Sequence, residues 1–174
     1  MKKIVNIIIL FISIDCIGQS ELEKKVLSEI NAYRTIHKLP LAKWDSIAYN
    51  AAHYHTKWMV KAKIVSHFET IDVPDFIEIY EPLDRGKKFG LKNNTFPSEI
   101  CNKARVSGKN PFIEKRASND EIAKNIINGF KSSPPHNEAL LQEINEGSKF
   151  SVGISCIIVD DAVYTTVYFI EELE

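Results

Sequence analysis

The sequence is short of the features that announce specialised chemistry. Only 3 of its 174 residues are cysteine, Cys16, Cys101 and Cys156. None has the paired spacing of a zinc knuckle. Neither charge sign dominates: 22 Lys and Arg stand against 23 Asp and Glu, a net of −1. No overall basic field therefore points to nucleic acid. There is no internal repeat, no HExxH helix and no Ser, His and acidic order of a catalytic triad. What remains is a chain long enough for one core, with an ordinary 44% of hydrophobic residues.

Long apolar runs are also lacking. The one candidate, Ile4 to Ile14, is broken by Asn6 and Ser13 and follows Met1-Lys2-Lys3. It is too short for an ordinary membrane span and has the charged start and brief apolar stretch of a secretory signal peptide. Gly18 makes cleavage before Gln19 the expectation, with residues 1–18 as signal and 19–174 as one domain, secreted or periplasmic, with no transmembrane span left. The rival is a lipoprotein acylated at Cys16, against which Asp15 counts. Removing residues 1–18 leaves 20 basic and 22 acidic groups, a net of −2, and two cysteines. Cys101 and Cys156 both lie in strand-like runs. An oxidising compartment permits either a cross-strand disulfide or two buried free thiols.

Local signals outline an α+β domain. Ser20 and Glu23 form a capping box ahead of Leu22, Val26, Ile30 and Tyr33, a helical stripe running out near His37. Asn31 and Arg34 lie beside it, placed to tie the helix to loops. Asp45 caps a second helix whose apolar face carries Ala48, Ala51, Ala52, His55, Trp58, Met59 and Ala62. His55 reads as a satisfied core histidine and His53, facing the other way, as surface. The irregular stretch from Thr70 to Asn94 is long enough for a binding loop, with a short helical turn over Arg85 to Phe89 ending at Gly90. Phe96 to Asn102 reads as a strand and 103–116 as a loop. Glu99, between apolar neighbours, needs water, a cation or a hydrogen-bond partner. A second capping box, Ser118 and Glu121, opens a helix with Ile122, Ile126, Ile127 and Phe130 buried. Strands over Phe150 to Val159 and Val163 to Ile170 close the chain around Asp160-Asp161.

The stretch Phe130-Lys131-Ser132-Ser133-Pro134-Pro135-His136 carries the strongest chemical signal. Ser133 reads as an N-cap, and two prolines fit the first turn of a further helix. That helix is expected to bury Leu140, Leu141 and Ile144. It places His136 near the positive end of the helix dipole, which favours the neutral, ligating imidazole. His67, just past the second helix, is a second polar group flanked by apolar residues.

Taken together, these pieces resemble the CAP superfamily, the SCP domain of cysteine-rich secretory proteins, antigen 5 and pathogenesis-related group 1 proteins. NAYRTIHKLPLAKWDSIAYNAAHYHTKWM is similar to its Asn-x-x-Arg helix, Leu-Pro-Leu-x-Trp-Asp connector and alanine-rich helix. Val65-Ser66-His67 resembles the first histidine motif, Ser98-Glu99-Ile100 stands where members carry Gly-Glu-Asn, and the His136 segment resembles the bacterial Trp-x-x-Ser-Pro-x-His. The departures are Ser98, Ile100 and Phe130. The resemblance implies a three-layer α-β-α sandwich with a small antiparallel sheet and a cleft lined by His67, Glu99 and His136. These three would ligate a zinc-like divalent ion. Many eukaryotic members add a glutamate on the third helix, for which Glu114, Glu121 and Glu138 are poor candidates. The implied function is a secreted, non-catalytic binding module for a metal, a lipid-like ligand or an envelope or surface partner. The alternative is a metal-assisted hydrolase with Glu99 as base.

Overall fold

The computed structural model describes residues 19–74, 76, 79–106 and 116–173. The proposed signal segment, with Cys16, and most of the 103–116 connection lie outside them. Among the described residues, five helices and four strands follow in the order α1 Glu21–Ile36, β1 Lys43–Trp44, α2 Ser46–Ala62, α3 Pro82–Lys88, β2 Thr95–Arg105, α4 Asn119–Lys131, α5 Pro134–Leu140, β3 Lys149–Val159 and β4 Ala162–Glu172.

The expected caps form. Ser20 and Glu23 exchange backbone and side-chain bonds at α1, Ser118 and Glu121 do the same at α4, and Asp45 accepts from the Ala48 amide at α2. Ser133 flanks α5 but its side chain makes no cap bond; the prolines at the helix start set that turn. α5 is a turn shorter than expected and buries Leu140 fully, with Leu141 and Ile144 half-buried. Lys103 to Arg105 extend β2 rather than opening the loop.

The sheet order is β1-β3-β4-β2. β4 is central and antiparallel to both neighbours, while the two-residue β1, expected to be mere connector, pairs parallel to β3. A positive φ of 54° at Asp160 makes the tight reversal between β3 and β4.

Alternation along β4 sorts the layers. Val163, Val167 and Phe169 belong to the larger core with Ile30, Ile122, Ile126 and Phe130 of α1 and α4. Tyr168 and Ile170 pack with Ala48, Ala51 and Ala52 of α2, and Tyr164 packs with Trp58 and Met59. The chain is thus the expected α-β-α sandwich. α2 lies so close to the sheet that a Cβ on Gly153 would overlap the Ala48 and Tyr49 backbone. Asn31 exchanges two hydrogen bonds with the Ala42 backbone, and buried Arg34 donates to the carbonyls of Pro40, Leu140 and Gln142.

Register settles the cysteines. Cys101 on β2 stands opposite Thr166, and Cys156 on β3 stands opposite Thr165. β4 therefore lies between them, about 9–10 Å of strand spacing, and successive β4 residues face opposite sides of the sheet. The neighbouring-strand bridge is ruled out, and both thiols are free.

Candidate functional site

β2 is the edge strand at the end of the sheet opposite β1, and connections from the two helical layers meet beside it. From the α2 layer comes the bend carrying His67; from the other comes α5 with His136 as its third residue. The two rings sit edge to face with centroids 5.9 Å apart. Glu99, on the α2 side of β2, places Oε1 3.2 Å from His67 Nδ1. All three residues singled out in the sequence thus stand together.

Beneath them is a buried layer that sequence reasoning missed. Arg85 of α3 is fully buried, and its Nη2 donates to both Glu99 oxygens, at 2.9 and 2.7 Å, and to the His67 carbonyl at 2.9 Å. Its Nη1 reaches Glu69 at 3.3 Å. The same Glu69 oxygen lies 3.0 Å from His55 Nδ1, while His55 Nε2 lies 2.6 Å from the Ser66 carbonyl. Arg85 and His55 thus bind the two carboxylates into one closed network. Glu69, two residues past His67, is the second acidic group of the site, not a residue of the third helix.

Burial alone would raise the Glu99 carboxyl. His55, the His67 hydrogen bond and Arg85 outweigh it and hold Glu99 below the usual carboxylate range. An ionised Glu99 only accepts, so a neutral His67 facing it carries its proton on Nδ1 and leaves the Nε2 lone pair free. His136 is pushed below its usual value by burial first and by His67 second, which makes the neutral ring the resting form. Phe130, standing where the motif has tryptophan, packs edge-on against His136 at 5.4 Å. Ser98 donates to Gln142 at 2.9 Å, and Ile100 fills the core.

Two groupings of metal-ligand type result. His55, Glu99 and Cys101 offer ligand atoms within 4.8 Å of one another. That spacing suits an ion, but the chemistry does not: both His55 nitrogens face acceptors, and burial pushes the Cys101 thiol up, away from thiolate. His67 and His136 are the better pair. Two imidazoles sharing one ion at 2.0–2.1 Å from a nitrogen have centroids about 5–6 Å apart, which the observed separation meets.

The irregular stretch after His67 lines a cavity of about 510 Å³ with Trp58, Glu69, Ile71, Phe76 and Tyr80. Phe68 and Tyr80 stack at its exposed margin, 5.2 Å apart. His53, expected at the surface, is half-buried instead. It stacks on Tyr49 and lies 3.2 Å from the Ser155 hydroxyl, because α2 packs so tightly on β3.

Fold and site together define an α-β-α sandwich with a histidine-lined cleft at the edge of its sheet. Residues 27–169 match the cysteine-rich secretory protein family, CAP, and the chain belongs to that family. Among solved structures it is similar to an outer surface protein from Borrelia burgdorferi, with 19% identity, a TM-score of 0.64, and 90% of this chain and 97% of that one covered. It is also similar to an extracellular SCP-domain protein from Bacillus anthracis, with 23% identity, a TM-score of 0.55, and 86% of this chain but 40% of that one covered. No curated protein matches the sequence. Among the described residues no helix is long and apolar enough to cross a membrane.

Proposed function

We propose that the protein is an exported, non-catalytic binding domain whose cleft holds a divalent ion on His67 Nε2 and one ring nitrogen of His136. The observation that carries this is the Glu99–His67 hydrogen bond: a carboxylate orienting a neutral imidazole is the usual outer support of a histidine metal ligand. Glu99 itself orients rather than ligates, since Arg85 already occupies both its oxygens. The same occupation disfavours the hydrolase alternative, because a carboxylate so held is a poor general base. Such an ion would fix an anionic or carbonyl-bearing ligand at the cleft mouth.

Export is supported by the outer-surface and extracellular character of the two structural relatives. We place the signal at residues 1–18 and the domain at 19–174, with Cys16 acylation as the other route to the cell surface. A lipid-like ligand is a second reading, for which the candidate place is the cavity walled by Trp58, Val73, Phe76 and Tyr80; Glu69, Thr70 and Asp72 on the same wall limit it to a ligand with a polar end.

Calorimetric zinc titration tests the metal. One site is expected, lost in His67→Ala and in His136→Ala and weakened about 10–100-fold in Glu99→Gln. Equal affinity in wild type and in the two alanine variants would remove the metal from this cleft.

A further inference from the structure

A second slot lies away from the histidine cleft, on the outer side of α2. Its volume is about 410 Å³ and its walls are Asn50, His53, Tyr54, Lys57, Lys61, Phe76 and Phe89. The floor is aromatic: Tyr54 meets Phe76 edge-on at 5.1 Å and Phe89 at 5.8 Å. All three rings are half-buried, so they present a shaped apolar surface without being sealed in the core.

The rim has one sign of charge. Lys57 and Lys61 follow Tyr54 on the same face of α2, one and two turns on. Lys88, from α3, holds its Nζ 5.5 Å from the Tyr54 ring centroid. No acidic residue among the described ones lines the slot, and none of these lysines forms an ion pair with a described residue. Among the described residues Asp84, four residues before Lys88, makes no such pair either. In a chain whose net charge is −1, two lysines lining one aromatic slot and a third beside its Tyr54 ring, none with an acidic partner among the described residues, form a local field that favours anions.

We propose that this slot between α2 and α3 binds an aromatic anion, a flat ring system bearing a carboxylate, sulfonate or phosphate. The rings of Tyr54, Phe76 and Phe89 take the flat body by stacking and edge contacts. The ammonium groups take the anionic end as mobile point charges, which tolerates any of the three acid groups. The site is independent of the cleft metal and survives the loss of that reading.

The test uses two fluorescent probes of nearly the same shape: anionic 8-anilinonaphthalene-1-sulfonate and neutral N-phenyl-1-naphthylamine. Wild type is expected to bind the sulfonate at least about tenfold more tightly, with an advantage that shrinks as salt shortens the screening length. The triple variant Lys57→Gln, Lys61→Gln, Lys88→Gln removes that advantage and leaves the neutral probe within about twofold. Phe89→Ala weakens both probes, which ties them to this slot rather than to the cavity by Trp58. Naphthalene-1-carboxylate displaces the sulfonate, while decanoate does not. Equal binding of the two probes by wild type, a triple variant that keeps the preference, a Phe89→Ala protein with unchanged binding, or displacement by decanoate would each overturn the proposal. The salt dependence and the displacement are read on wild type, so they test the slot even if a variant does not fold.

Discussion

Replacing Arg85 with methionine asks most of the network under the cleft. The side chain is fully buried, and its guanidinium is the partner of both Glu99 oxygens and of Glu69. Methionine fills most of the volume but leaves two carboxylates with only His55 and His67 beside them. Removing one partner of a buried ion pair costs about 3–5 kcal/mol. For a domain of this size that is a fall in melting temperature of about 6–20 °C. It is also a large share of a typical stability of about 5–15 kcal/mol. The pH dependence identifies the mechanism. Glu99 is held below its usual range in the folded protein, so its contribution is present above the unfolded carboxylate value and lost as pH falls through the folded one. In the variant, one of the groups holding it down is gone. The destabilisation should therefore be greatest near pH 7 and shrink as the carboxylates protonate. Urea midpoints at pH 7 and pH 4 measure both. A cost below about 1 kcal/mol, or one independent of pH, would refute the paired-charge account, since a cavity alone has no such pH signature.

Other expectations follow from particular contacts. Proton NMR should find His136 titrating below the usual histidine value, and moving up towards it in His67→Ala, because His67 is the second cause of its depression. Phe130→Ala should cost about 3–5 kcal/mol by denaturant melting, as the ring is fully buried against α4 neighbours and His136. Under oxidising conditions Cys101 and Cys156 should both stay titratable thiols, reacting with a thiol reagent only on unfolding. Added reductant should leave the melting temperature unchanged; a drop would show a bridge that the strand order forbids. Gly153→Val should abolish folding, read as lost cooperative melting, because α2 has no room to retreat from β3.

The parts legible in the sequence are those fixed by near neighbours. Two capping boxes and the spacing of Val26 and Ile30, or Ile122 and Ile126, mark α1 and α4, because caps and helical stripes are local physics. His136 was legible through its prolines, and His67 and Glu99 through motif order. Arg85, Glu69 and His55 were not. Their bonds join residues 14–16 positions apart across a bend, a short helix and α2, and no periodicity records such pairing. His55 did look like a satisfied core histidine, and both nitrogens are bonded; its role in holding Glu99 needed the fold. The cysteines show the other limit: strand-like composition places a residue in a sheet but says nothing of which strand inserts between two others. β1 escaped notice because two residues paired to β3 have no pattern of their own.

The central claim is that Glu99 holds His67 with its Nε2 free and that His136 completes the pair. Long-range proton–nitrogen NMR of the imidazoles during a zinc titration tests it most directly. Before metal, His67 should be the Nδ1-protonated tautomer; with zinc, its Nε2 and one nitrogen of His136 should shift together at one equivalent while His55 stays fixed. A His67 found in the other tautomer, or zinc shifts confined to other histidines, would contradict the account.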